Sequence, residues 1–201
     1  KTAVLSGDLL YTFAANSLAN LDNNNYLNHL LKAALEMTRG QANQMKSGNC
    51  TDISIKSYLK RIKKKTALLM GKSCLLGAKA SKAKKQEQNK MEKYGLNLGL
   101  SFQINDDIKD IVSSEKYLGK EPGNDLREGT VTLPIIIALK KSPEDDTLRA
   151  LLKKKNPSES EIKWGRKLVK DSGAIESSLE FSKKFANKAQ SYLPTTRDNS
   201  V

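Results

Sequence analysis

The chain has 201 residues, enough for one domain with a substantial core. Apolar residues make up 38% and charged residues 28%, the balance of a globular protein with a wet surface rather than of a disordered or fibrous one. With 35 Lys and Arg against 22 Asp and Glu, the net charge of +13 favours anionic partners: phosphorylated metabolites, nucleic acid or an anionic membrane surface. No apolar run approaches the length that spans a bilayer, and no signal-peptide pattern opens the sequence. Cys50 and Cys74 are spaced neither as metal ligands nor as a disulfide framework, so a reducing, cytoplasmic setting is expected. The first residue is Lys1 rather than methionine, and Thr2-Ala3-Val4-Leu5 reads as the middle of an element; the expectation is a chain whose natural beginning lies upstream.

In chain order, residues 3–20 carry Val4, Leu5, Leu9, Leu10, Phe13 and Ala14 at helical spacing. Gly7 inside that run suggests a close helix contact, with Asp8 as a buried polar candidate. Asp22 to Asn25 breaks the pattern, and a second helix follows over about 25–45 with Leu27, Leu30, Leu31, Ala34 and Leu35 inward. Thr51 or Asp52 can cap a third helix, in which Ile55, Leu59, Ile62 and Leu69 form one stripe. Its other side is basic, and Lys65 borders the apolar stripe, where its stem can pack while its ammonium reaches a phosphate. Small residues over 72–84 suit tight packing, and 82–89 straddles a helix end. A long apolar helix then runs over 94–111, followed by a glycine-punctuated loop from Gly119-Lys120 to Asp125. Pro134 starts a mostly buried helix, Ser142 to Asp145 reads as a cap, Ser158 with Glu161 as a capping box, and Ser172-Gly173 as the break before a last helix over 174–191. No strand-like alternation occurs, so the fold class is all-α in eight or nine helices, one domain over 1–193 with a polar tail over 194–201. His29, the single histidine, has no catalytic company nearby and is expected to be structural, and Trp164 is expected to pack.

The most informative stretch is Phe102-Gln103-Ile104-Asn105-Asp106-Asp107-Ile108-Lys109-Asp110. On a helix Asp106 and Asp110 project from one face, with Asp107 beside them. Crowded carboxylates repel unless a cation neutralises them, and hard oxygen ligands suit Mg²⁺, which keeps several waters and completes its shell with phosphate oxygens. The alternative is a solvated acidic patch.

Phe102-Gln103-x-x-Asp106-Asp107-x-x-Asp110 resembles the second aspartate-rich motif of the trans-prenyltransferases, the all-trans polyprenyl diphosphate synthases. Other pieces follow in the family's order. Ala3-Val4-Leu5-x-Gly7-Asp8 resembles the segment after the first aspartate-rich motif, Gly40-Gln41 its Gly-Gln element, and Lys65-Thr66-Ala67 its Lys-Thr motif. Gly119-Lys120 and Gly123-x-Asp125-Leu126-x-Glu128-Gly129-x-x-Thr132-Leu133-Pro134 resemble the loop and helix start after the second motif. No Asp-Asp-x-x-Asp precedes residue 106, so the family's first motif and its isopentenyl-binding basic residues would lie upstream of Lys1.

The resemblance implies an all-α bundle of mostly antiparallel helices around a central cavity, the isoprenoid synthase fold, here lacking its N-terminal helices. It implies Mg²⁺-dependent condensation of isopentenyl diphosphate onto an allylic diphosphate. In that chemistry Asp106, Asp107 and Asp110 serve the metal, Lys65 and Lys120 bind diphosphate oxygens, and Thr66 and Gln103 hydrogen-bond near the reacting carbon. The composition and the spelling Asp-Asp-x-Lys-Asp lean toward a bacterial medium- or long-chain enzyme of the heptaprenyl type. A homodimer is the expected assembly, or a heterodimer with a small subunit, with no nucleic acid and at most peripheral membrane contact through the product. Two other readings remain: a non-catalytic subunit of a heterodimeric synthase, and a basic helical nucleic-acid binder supported only by the charge.

Overall fold

The computed structural model describes residues 2–21, 25–47, 51–113, 121–142 and 146–193. Among these residues every regular element is a helix: α1 Thr2–Ala19, α2 Asn25–Ser47, α3 Ile55–Ile62, a π-helical turn Lys63–Ala67, α4 Leu68–Ala80, α5 Lys85–Val112, α6 Asn124–Arg127, α7 Leu133–Lys141, α8 Thr147–Lys153, α9 Glu159–Asp171 and α10 Ala174–Gln190. Ile62, Lys63, Ala67 and Leu68 all have right-handed helical backbone angles, so α3, the π turn and α4 form one continuous rod.

The 28-residue α5 is about 42 Å long and is the axis of the molecule. Its buried set, Gly95, Asn97, Gly99, Ser101, Gln103, Ile104, Asp107, Ile108, Asp110 and Ile111, goes round the helix rather than along one stripe, because α4 packs on one side and α10 on another. Small residues let the neighbours in close. A β-carbon on Gly95 would lie 2.5 Å from the Met70 carbonyl oxygen, and one on Gly99 2.6 Å from the Cα of Ala67. Toward α10 the contact is polar: Asn105 Nδ2 donates to Ser182 Oγ at 2.6 Å, and that hydroxyl lies 2.9 Å from the Ser101 hydroxyl.

The apolar core gathers at the C-terminal half of α5. Ile104, Ile108 and Ile111 meet Leu133, Ile135, Ile136 and Leu139 of α7, with Leu126, Leu152, Ile162 and Val169 closing around them. From Leu133 to Leu139 every residue of α7 is buried, as its unbroken apolar run predicts. Pro134 sits in the first turn, where its missing N–H leaves no bond unmade. The loop end of this half is fastened by Arg166 of α9, which donates to the carbonyls of Ile111 and Ser113 at 2.9 and 2.5 Å. Ser158 and Glu161 form the expected capping box.

Several local expectations change. The third helix is capped by Ser54 rather than Thr51 or Asp52; its hydroxyl accepts from Ser57 N at 3.1 Å. The cap read at Ser142 to Asp145 runs into 143–145, outside the described residues, and α8 starts at Thr147 after Asp146. Trp164 is 42% exposed rather than packed. Nothing lies within 4 Å of a β-carbon on Gly7, and Asp8 is exposed, because no residue of α1 is buried. His29 meets Lys79 Nζ at 2.8 Å with its pKa lowered by burial and by the Lys79 and Lys72 charges, an arrangement with no nucleophile in it.

Candidate active site

The Lys-Thr motif lies in the π turn, where the N–H of Leu68 bonds five residues back to the Lys63 carbonyl. A π turn carries an extra residue and is a recurrent feature of functional sites. The buried positions show its effect. They run Tyr58, Ile62, Ala67, Gly71, Leu75 and Ala78, steps of four except for the five across the turn and the three at the end. The stripe read through Leu69 therefore slips, and Leu69 is only half-buried. Ala67 is brought against Gly99 of α5, and one residue before it Thr66 Oγ1 donates to Gln103 Oε1 at 2.6 Å.

Gln103 continues the chain inward. Its Nε2 donates to Asp107 Oδ1 at 2.9 Å, the other oxygen of Asp107 accepts the Tyr58 hydroxyl at 2.6 Å, and a longer contact of 3.5 Å reaches Asp106. Asp107 and Tyr58 are buried, and the Arg61 guanidinium stands 5.6 Å over the Tyr58 ring while donating to the Val131 carbonyl. Burial pushes the Asp107 carboxyl up against the pull of its two donors, and pushes the Tyr58 phenol up, reinforced by the neighbouring carboxylate.

The three aspartates of the motif take three different positions. Asp106 is exposed beyond the helix surface. Asp107 faces inward to Tyr58 and Gln103. Asp110 is buried and turned to α6: its two oxygens accept the backbone N–H of Asn124 at 3.1 Å and of Asp125 at 2.9 Å. Gly123, at φ +85°, makes that approach possible, and a β-carbon there would also meet Ile162 at 2.6 Å. The one-face arrangement of Asp106 and Asp110 thus gives way to one carboxylate outward and two inward. Lys65 is exposed, and Lys109, also exposed, points away from the buried pair. Lys120 lies outside the described residues.

Asp125, in α6, belongs with the site although the sequence gave no chemical signal there beyond the motif that contains it. Burial, then repulsion from Asp107 and Asp110, pushes its carboxyl up to about 8, against the pull of Lys65. Such a group folds protonated between its ordinary pKa of 3.8 and about 8, so folding takes up a proton there and its contribution to stability is lost as pH rises through that window. Asp125→Asn is expected to raise the melting temperature of the metal-free protein at pH 8.5 and to leave it little changed at pH 4, which calorimetry at the two pH values checks.

Among the described residues no three His, Cys, Asp or Glu side chains are grouped closely enough to hold a metal by themselves. Asp107 and Asp110 nevertheless repel the ionised form of Asp125, an effect second to its burial. A divalent cation beside the exposed Asp106 would relieve that repulsion, so the donor set fits a hard cation that completes its shell with water and phosphate oxygens.

The family model described as Polyprenyl synthetase matches residues 1–169. The chain belongs to the polyprenyl synthetase family. Among characterised polyprenyl synthetases it is 35% identical over 189 residues to the heptaprenyl diphosphate synthase component 2 of Geobacillus stearothermophilus, covering 93% of this chain and 58% of that protein. It is 36% identical over 176 residues to the short chain isoprenyl diphosphate synthase of Methanocaldococcus jannaschii, covering 85% and 54%. In structure it is similar to the polyprenyl synthase of Caulobacter crescentus CB15 complexed with calcium and isoprenyl diphosphate, at TM-score 0.89 and 30% identity over 97% of this chain and 61% of that one. The heptaprenyl diphosphate synthase of Staphylococcus aureus gives TM-score 0.85, 30% identity, and 96% and 61% coverage. The all-α isoprenoid synthase fold read from the sequence is thus that of this polyprenyl synthetase, and the chain spans a little over half the length of the curated relatives it matches. Among the described residues no helix is long and apolar enough to cross a membrane.

Proposed function

We propose that the protein is an all-trans polyprenyl diphosphate synthase, joining isopentenyl diphosphate to an allylic diphosphate. The observation that carries this reading is the juxtaposition of Thr66, Gln103, Asp107 and the exposed Asp106 where the π turn meets the C-terminal half of α5. A bound Mg²⁺ supplies electrostatic stabilisation to the departing diphosphate. Asp106 is the residue of the motif with its carboxylate open to such an ion. Asp107 and Asp110 add negative field from beneath it while their oxygens anchor the site to Tyr58, Gln103 and α6. Lys65 and Lys120 are assigned to diphosphate oxygens as flexible point charges. Thr66 and Gln103 face the reacting carbon, and the apolar walls of the bundle exclude water and house the hydrocarbon.

The assembly we propose is a dimer. Val4, Leu5, Leu9, Leu10 and Phe13 of α1 are 67–71% exposed, and Leu31 and Leu35 of α2 are 44% and 50% exposed. Asp8 is the only charged residue within α1, so self-association on this face meets little of the repulsion that a net charge of +13 imposes elsewhere. The name component 2 carried by the Geobacillus relative favours a second reading, a chain that works only with a different subunit. One experiment tests both. The natural protein, purified alone, is incubated with farnesyl diphosphate, labelled isopentenyl diphosphate and Mg²⁺. Labelled polyprenyl product supports the first reading; product only after addition of a partner subunit supports the second; none in either case overturns the assignment.

A further inference from the structure

We infer that Tyr58 is a positioning residue that fixes the amide of Gln103 through Asp107, an inference that rests on the condensation reading above. Tyr58 is fully buried and 49 residues distant in sequence from Asp107, yet its hydroxyl lies 2.6 Å from Oδ2. Asp107 accepts at both oxygens, from the Tyr58 hydroxyl and from Gln103, so the group that Gln103 presents to Oδ1 at 2.9 Å is its NH₂, which sets the orientation of the amide. Its carbonyl oxygen is thereby turned to Thr66, whose hydroxyl has to donate to it at 2.6 Å. The chain of bonds then has one sense only. Tyr58 and Gln103 both donate to Asp107, Thr66 donates to Gln103, and the free lone pairs of the Thr66 hydroxyl are left for what lies in front of it. This orients oxygen lone pairs, the negative ends of the local dipoles, toward the place where positive charge develops on an ionising allylic carbon.

Tyr58 is itself held. Arg61 stands 5.6 Å over its ring and donates to the Val131 carbonyl just before α7. The phenol ring is therefore held by a contact that does not involve its hydroxyl, and that hydroxyl bonds to Asp107 rather than to the exposed Asp106 or any group assigned to diphosphate. Its effect has to travel through Asp107 to Gln103 and Thr66, which distinguishes it from a metal ligand and from a diphosphate anchor.

Tyr58→Phe keeps the ring, its packing and the Arg61 stack and removes only the hydroxyl. In the natural protein the expected result is a fall of about tenfold in kcat, the effect of leaving one buried acceptor without its donor, with KM for the allylic substrate unchanged. Mn²⁺ binding in the presence of inorganic diphosphate, followed by electron paramagnetic resonance, should be unchanged. Gln103→Leu should lower kcat further, and adding Tyr58→Phe to it should have no additional effect, since the two act in series. An unaffected Tyr58→Phe, full additivity of the two substitutions, or a loss of Mn²⁺ affinity that saturating metal restores would each overturn the inference. A wild-type protein without condensation activity would overturn the functional reading and this inference with it, whereas an active wild type with an unaffected variant overturns the inference alone.

Discussion

Asp106→Ala is expected to abolish Mg²⁺-dependent condensation, lowering kcat by about a thousandfold or more, the scale on which removal of a principal electrostatic group from an acyl- or phosphoryl-type site acts. The far-ultraviolet circular dichroism and the melting temperature should not change. The side chain is exposed, and among the described residues its hydrogen bond is the long 3.5 Å approach of Gln103 Nε2, so the fold loses almost nothing with it. Asp107→Ala makes the informative contrast. It removes an acceptor from two buried donors, Tyr58 and Gln103, and should lower stability as well as rate. Turnover of Asp106→Ala at saturating Mg²⁺ near the wild-type rate would remove this residue from the metal site.

Gly99→Ala carries the second large effect, on stability and rate together. The new methyl would stand 2.6 Å from the Cα of Ala67 and 3.0 Å from its Cβ. The first of these is backbone, which cannot rotate out of the way, so α5 and the π turn must part. Overpacking of this kind costs about 1–3 kcal/mol, or roughly 2–4 °C of melting temperature per kcal/mol for a chain of this size. The same displacement stretches the Thr66 to Gln103 bond one turn further along α5, so kcat should fall more than the loss of stability alone explains at a temperature where the variant is fully folded. Gly77→Ala is the control: nothing lies within 4 Å of its β-carbon position, and both stability and rate should be retained. Calorimetry with initial rates at 20 °C separates the two cases; equal behaviour of the two variants would refute the close contact.

The helical architecture was legible because its signals are local. The buried run of α7, the capping box at Ser158 and the break at Ser172-Gly173 all emerge where spacing and turn chemistry place them. The aspartate helix was legible too, as was the association of Thr66 with it, through the order of the motifs. What stayed hidden depends on contacts between distant segments. Tyr58 fell outside the stripe read through Ile55, Leu59, Ile62 and Leu69, and nothing in its spacing says where its hydroxyl ends. The inward turn of Asp110 was likewise unreadable, because its partners are backbone N–H groups of α6, which any residue other than proline supplies. Asp8 shows the opposite failure. A charged residue in an apolar helix suggests burial, whereas α1 packs against α2 with none of its residues buried.

The π turn makes the rod of α3 and α4 behave as a crank. An added residue advances the side chains by roughly 100° about the axis, so the part that carries Tyr58 and the part that carries Gly71 are set in different phases and both still face α5. Removing one residue between Lys63 and Thr66 would restore an unbroken α-helix with a better local hydrogen-bond ladder. It would also rotate one half against the other, so that Tyr58 could meet Asp107 or Gly71 could meet Leu96, but not both. The length of this segment is thus counted to the residue.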